Sequence, residues 1–355
     1  MKARKSPLAR GLLVALVAVM AAGCSQESLT GLRQGVATPI GGPAESPSQV
    51  PESSNTPGAV GEAPTRTPQP RASRTVPTGT PQLPPDNDDG EEAVLVGAGD
   101  IGDCDSGDDE RTAALLDEIE GTVFTLGDNV YDRGTAREFR ECYEPSWGRH
   151  KERTRPSPGN HDYRTDDAGP YFDYFGDSAG EKGKGYYTYD LGSWHIVVLN
   201  SNCKYVGGCE EDSEQLRWLE DDLANNPARC TLAYWHHPLF NAGEHGNEKA
   251  VRPLWEALYD AGAEVVLAGH DHNYQRFAPQ DPGGKSEPER GIRQFIVGTG
   301  GKDHYDIEDS MPNLEASNDD ANGALKLTLR AEGYSWEFIP AEEDDFQDSG
   351  TGSCH

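Results

Sequence analysis

From residue 93 onward, unbroken apolar runs alternate with segments of helical spacing. "AVLVGAG" (93–99) is apolar throughout and ends in glycine, the pattern of a strand buried on both faces. "DERTAALLDEIE" (109–120) spaces its apolar residues as a helix does, behind an acidic first turn. "TVFTLG" (122–127) is the next strand, "TAREFRECY" (135–143) is helical, and a short strand is predicted near 154–158. "GYYTYDLGSWHIVVLN" (185–200) reads as a hairpin turning at Leu191–Gly192. "SEQLRWLEDDLANN" (213–226) is an amphipathic helix, and "EKAVRPLWEALYDAG" (248–262) is a helix with a kink expected at Pro253. Strands are predicted at "CTLAYWHH" (230–237), "AEVVLAGH" (263–270) and "RQFIVGTG" (293–300), and a closing hairpin at 323–340. Strands that alternate with helices, then late hairpins, argue for an α/β fold with mixed sheets. The domain is placed at 91–340. Residues 341–355 read as an acidic, frayed tail.

The N-terminus follows other rules. "MKARKSPLAR" is basic, and "GLLVALVAVMAA" is an apolar run of about 12 residues, too short for a hydrocarbon core of ~30 Å. It reads as a signal segment (1–23). "AAGC" resembles a bacterial lipoprotein signal, with Cys24 as the lipid-bearing first mature residue; the alternative is an ordinary signal peptide cut at small residues. Residues 25–90 contain no Phe, Trp or Tyr and hold 12 of the 25 prolines. Such a stretch buries too little apolar surface to offset its ordering entropy, so 24–90 is read as a disordered tether. As a flexible coil it would reach roughly 45 Å. The expected location is extracytoplasmic, anchored at the cell membrane through the lipid. Formal net charge is -30, and about -34 once the four basic leader residues are gone. That excludes nucleic acid as a partner held by charge. The sequence leaves the oligomeric state open.

Metal-type side chains gather where strands end. They are "GAGD" with Asp100, "GDNVY" with Asp128 and Tyr131, "GNHD" with Asn160 and His161, "YWHHP" with His236, and "GHDH" with His270 and His272. In α/β sheets, ligands collect at the carboxyl ends of strands. Glycine before Asp100, Asp128, Asn160 and His270 is expected to let the backbone turn sharply. Two Asp, one Tyr, one Asn and three His make seven donors, whereas one first-row cation takes about four to six including waters. With Asp128 as a bridge they suit two cations about 3.5–4 Å apart. A phenolate suits ferric iron, and imidazoles suit Zn, Fe or Mn.

In this order the motifs resemble the calcineurin-like metallophosphoesterase superfamily, and the tyrosine of "GDNVY" narrows the resemblance to the purple acid phosphatases. "GEHG", with its histidine nine residues after His236, is similar to their small single-domain form. The match covers residues 93–300. The resemblance implies a four-layer sandwich of two mixed β-sheets flanked by helices. It implies Asp100, Asp128, Tyr131 and His272 on a first, ferric ion. It implies Asp128, Asn160, His236 and His270 on a second ion, Fe(II), Zn or Mn. His161 and His245 would be catalytic histidines that touch no metal. A metal-bound hydroxide would attack a small phosphate monoester in line, and a histidine would protonate the leaving alkoxide.

Blander readings stand beside these. The two aspartates could cap strand ends, Tyr131 could pack in a turn, Asn160 could serve a turn, and His161 could be a structural donor. His245 could be a surface loop residue. His237 is turned away from the site by strand alternation and is expected to be structural, and His195 to be core. "GTGG" (298–301) could approach the site as backbone. Apart from Cys24, six cysteines in an exported chain favour disulfides. Cys203 and Cys209 enclose a loop short enough to close; Cys104 with Cys142 and Cys230 with Cys354 would complete the set, without support from local spacing. Two other functions stay open: a phosphodiesterase acting on nucleotides or phospholipid head groups, and a non-catalytic surface-binding lipoprotein.

Overall fold

The computed structural model describes residues 92–307, 310–343 and 346–355; the signal segment, the tether and Cys24 lie outside the described residues. The chain opens with three parallel strands, β1 (Ala93–Ala98), β2 (Thr122–Leu126) and β3 (Thr154–Ser157). It then lays down β4 (Tyr187–Leu191), β5 (Trp194–Val198), β6 (Cys230–Tyr234), β7 (Val265–Ala268), β8 (Tyr274–Phe277), β9 (Arg293–Val297) and β10 (Leu314–Asn318). Strands β11 (Gly323–Arg330), β12 (Gly333–Pro340) and β13 (Ser349–Ser353) close the fold. The first sheet runs β13-β12-β11-β1-β2-β3, and the second runs β10-β8-β9-β7-β6-β5-β4. Both are mixed: β1 pairs antiparallel with β11, and the parallel set β5, β6, β7, β9 is flanked by antiparallel β4 and β8.

Alternation along the second sheet sorts side chains into two cores. Ile196, Val198, Leu232, Tyr234, Val265, Leu267, Phe295 and Val297 join the first sheet's Leu95, Phe124 and Leu327 in one cluster. Their neighbours Val197, Ala233, Val266 and Ile296 face the other way, onto Leu216, Leu219, Leu254, Trp255 and Leu258. Those residues come from the helices Glu214–Asn225 and Arg252–Asp260, which cover the second sheet's outer face. The first sheet is flanked by the helix Asp108–Glu118, whose Ala113 and Leu116 are buried. The layering is therefore the expected one, two mixed sheets with helices outside. Pro253 starts a helix rather than kinking one, because its missing N–H falls in the first turn, where no partner is needed.

The tail departs from the expectation. Residues 349–353 pair antiparallel with β12, and Cys354 is joined to Cys230. Asp348 is buried and accepts from Tyr274 Oη (2.6 Å), Arg276 Nε (2.7 Å) and Trp336 Nε1 (3.1 Å). The ladder, the disulfide and these three hydrogen bonds therefore hold a segment whose "SGTGS" has no apolar alternation to reveal it. Two strands, β8 and β10, have no clear signature either. Gln275 of β8 is buried through hydrogen bonds to Asn241 and Asn273, not through apolar contact. The other two disulfides are Cys104–Cys142 and Cys203–Cys209. Among the described residues no helix is long and apolar enough to cross a membrane.

Candidate metal centre

The parallel strands stop in step. Ala98 pairs with Thr125, Leu126 with Ser157, and Tyr234 with Leu267, so the residues just beyond each strand are neighbours. The two sheets meet at this edge: Gly99 N donates to Val297 O (2.8 Å), and His270 N donates to Asp100 Oδ2 (2.9 Å). Asp100, Asp128 and His270 have φ of 60°, 47° and 75°. Left-handed backbone at three non-glycine residues is a strained state that a tight surrounding structure must hold. Gly127 turns the chain with φ of 83°, as expected, whereas Gly159 and Gly269 have a different task. A Cβ on Gly159 would lie 2.1 Å from Asp128 Oδ1, and one on Gly269 would lie 2.6 Å from Asp100 Oδ2. These glycines leave room for the carboxylates.

All seven expected donors converge. Tyr131 Oη donates to Asp100 Oδ1 (2.7 Å) and lies 3.2 Å from Asp128 Oδ2 and 3.1 Å from His272 Nε2. His236 Nε2 lies 3.4 Å from Asp128 Oδ2, 3.0 Å from Asn160 Oδ1 and 3.2 Å from His270 Nδ1. Backbone atoms orient the rings: His236 Nδ1 is 2.7 Å from Leu126 O, and His272 Nδ1 is 2.6 Å from Asp303 O. A carbonyl partner fixes Nδ1–H and leaves Nε2 as the free lone pair, the usual support of a metal-binding histidine. Two groups of donor atoms lie within 4.8 Å of one another: Asp100, Asp128 and His236, and His236, His237 and His270.

The cluster is short of positive charge. Asp100 and Asp128 are both buried. Burial, with Asp128 beside it, pushes the Asp100 carboxyl up to about 7. Burial also works against the charge on Asp128, but the His236 imidazole and the His161 amide hold its carboxyl far below the usual range. His236 is raised to about 9, since Asp128 and Asp100 outweigh its burial. Burial drives His272 down to about 3 and depresses His270, so both keep the neutral rings that metal ligation requires. Oxygen donors and neutral imidazoles around buried carboxylates fit metal ions.

Two expected histidines flank this cluster. His161 Nδ1 lies 2.8 Å from Asp132 O, its Nε2 lies 3.9 Å from Asp128 Oδ2, and its ring is 4.4 Å from that of Tyr131. His245 sits on the other side, its ring 4.3 Å from His270. Its Nδ1 is 2.8 Å from Asp271 Oδ1, and Asp271 is itself buried and takes a hydrogen bond from Asn241. Hydrogen bonding to Asp271 raises the His245 pKa against partial burial. Asp271 stands inside the quoted "GHDH", but nothing in the spacing says that its carboxylate reaches back to residue 245.

His237 contradicts the sequence reading. Its ring lies 4.5 Å from His270 and 4.8 Å from His236, and Ser201 Oγ lies 2.8 Å from its Nδ1. Strand β6 ends at Tyr234, so period-two alternation no longer governs position 237. His195 is buried, as expected, between Asp190 (3.1 Å) and Asp222 (2.7 Å). The "GTGG" backbone does approach the site: a Cβ on Gly298 would lie 2.9 Å from Asp100 Oδ2.

A fold of two mixed sheets with donors at its carboxyl edge defines a class of phosphoester-processing domain. The chain belongs to the calcineurin-like phosphoesterase family, whose model matches residues 94–274. It is 35% identical over 100 residues to purple acid phosphatase 21 of Arabidopsis thaliana, which is 26% of this chain and 22% of that protein. It is 26% identical over 198 residues to acid phosphatase A of Cryphonectria parasitica, 47% of this chain and 38% of that one. The chain thus spans well under half the length of these relatives. Among solved structures, a purple acid phosphatase from yellow lupin seeds superposes with a TM-score of 0.61 at 17% identity, over 74% of this chain and 54% of the lupin chain. GAP50, described as the anchor in the inner membrane complex of Plasmodium, gives 0.59 at 12% identity, over 74% and 89%. One fold therefore appears in differently described proteins, and function has to be argued from the site.

Proposed function

We propose that this protein is a two-metal phosphatase acting on small phosphate monoesters. The observation that carries the reading is the convergence of seven donors from five strand ends around buried Asp128. Asp100, Asp128, Tyr131 and His272 would hold one cation, ferric iron where Tyr131 ionises. Asp128, Asn160, His236 and His270 would hold the other, Fe(II), Zn or Mn. Bound there, two cations supply Lewis-acid charge for the phosphoryl oxygens and acidify water. The protein's own groups do the rest. Asp271 holds Nδ1 of His245, which leaves Nε2 to deliver a proton to the leaving oxygen. His161, fixed at Nδ1 by the Asp132 carbonyl, presents Nε2 for a phosphate oxygen.

Three disulfides support an exported chain. The proposed organisation is a signal segment (1–23), a lipid on Cys24, a tether (24–90) and the catalytic domain from residue 91. The test is hydrolysis of an alkyl monoester and of a dialkyl diester by the purified, metal-analysed protein. Hydrolysis of the monoester, lost on chelation, is expected. A protein that binds metal and cleaves neither would have to be a binding protein, and cleavage of the diester alone would make it a diesterase.

A further inference from the structure

One imidazole at the metal centre has no part in the chemistry proposed above. Val198 of β5 pairs with Tyr234 of β6, and Ser201 and His237 each lie three residues further along these parallel strands. The register therefore brings the two together past the sheet's edge. The His237 N–H donates to Ser201 Oγ (3.0 Å), and the His237 carbonyl accepts from Trp235 Nε1 (2.8 Å). Its backbone is thus fixed on both sides, by a serine and an indole that are both buried. The ring is fixed as well, with Nδ1 2.8 Å from Ser201 Oγ. A hydroxyl oxygen has two lone pairs, so it can accept from both the His237 N–H and Nδ1–H. Nε2 then keeps a free lone pair. His236 and His272 are prepared in the same way, with Nδ1 on Leu126 O and Asp303 O. The His237 ring makes no other hydrogen bond among the described residues.

The ring stands among the donors of the second ion. Its centre is 4.8 Å from that of His236 and 4.5 Å from that of His270. One ring nitrogen from each of the three histidines lies within 4.8 Å of the other two. His236 Nε2 and His270 Nδ1 are 3.2 Å apart, within the roughly 2.9–3.4 Å expected of two nitrogens that share one zinc ion. Asp128, Asn160, His236 and His270 are four donors, and a first-row cation takes up to about six including waters, so a fifth side chain fits. Its type matters too. Imidazole suits zinc, whereas carboxylate, carbonyl and water suit manganese.

We propose that His237 is a further ligand of the second metal ion, through Nε2, and that this third imidazole makes zinc the preferred metal of that site. This rests on the two-metal reading above, but not on the hydrolysis of any ester. His237 takes a coordination position that a water would otherwise fill. Ser201 is a positioning residue, which acts on the ion only through Nδ1 of His237.

The experiment has two arms, and neither depends on activity. A crystal structure of the zinc-loaded wild type measures the distance from His237 Nε2 to the second ion. About 2.1 Å is expected, and a distance above about 3 Å overturns the proposal. Competition against a chelator measures zinc and manganese affinities of the wild type, His237→Ala and Ser201→Ala. His237→Ala is expected to weaken zinc at the second site roughly tenfold to a hundredfold and manganese by less; Ser201→Ala should do the same to a smaller degree. Unchanged zinc affinity in both variants, or equal losses for the two metals, overturns it. Melting temperatures check the fold, and if His237→Ala does not fold, the crystallographic distance and Ser201→Ala decide. A wild type that holds two zinc ions with His237 bound, yet cleaves no ester, would end the phosphatase reading and leave this one standing. Two zinc ions with His237 unbound would remove this proposal alone, and a wild type that takes up no metal would remove both.

Discussion

His161 packs against Tyr131 and His245 against His270, and their partners differ in kind. A backbone carbonyl holds His161, while a buried carboxylate holds His245 and favours its protonated form. Only the second arrangement suits a proton donor. A donor matters most when the leaving alkoxide is basic and least when it is an acidic phenol. His245→Ala is therefore expected to lose 10²–10⁴-fold in kcat on an alkyl phosphate but far less on an activated aryl phosphate, with both metals retained. Steady-state rates on the two esters decide this, and equal losses would assign His245 to binding. His161→Ala should impair both esters alike. The motif residues themselves were legible in the sequence, because each lies next to a strand that the apolar pattern marks. Asp271 and His237 were not. Their roles depend on where loops fold back after the strands end, and a periodic reading stops at that point.

At the scale of elements, the acidic C-terminal segment shows how burial through polar partners, with a single apolar residue, Phe346, escapes a pattern reading. Asp348 is buried among Tyr274, Arg276 and Trp336, and these three donors fasten β13 together with Phe346, which packs on Tyr274 and Phe338. Burial opposes its charge, but the Arg276 and Tyr274 hydrogen bonds prevail and hold the carboxyl below its ordinary value. A carboxyl lowered on folding contributes stability above its unfolded pKa, near 3.9, and that contribution fades as pH falls through the folded value. Asp348→Ala should then cost about 2–4 kcal/mol at pH 7, since it leaves the Arg276 charge half-buried with only Glu315 beside it. The deficit should shrink below about pH 4. Urea melts of wild type and variant at pH 7 and pH 3 test the sign; a deficit that grows in acid would contradict it. The helices and the strands of the parallel sets, by contrast, were readable, because each buries a periodic or unbroken apolar face. Strands β8 and β10 were not: in β8 the core residues Tyr274 and Phe277 are separated by Gln275, which is held by Asn241 and Asn273, and by Arg276, so no apolar alternation marks it.

For the whole molecule, three disulfides and an excess of acid support the proposed extracytoplasmic placement, and like charge would keep copies of the domain apart. Cys24→Ser is expected to move the protein from the membrane fraction to the soluble fraction, with activity unchanged. A variant that stays with the membrane would show that another feature anchors it. The central claim concerns the metals, and it rests on one carboxylate facing both halves of the site. Asp128 Oδ2 lies 3.2 Å from Tyr131 on one side and 3.4 Å from His236 on the other. The most direct test is the metal content of the purified protein and of Asp128→Ala, by elemental analysis. About two equivalents per chain are expected in the wild type and close to none in the variant. One full equivalent retained by Asp128→Ala would mean that the carboxylate does not bridge, and the two-metal reading would fall.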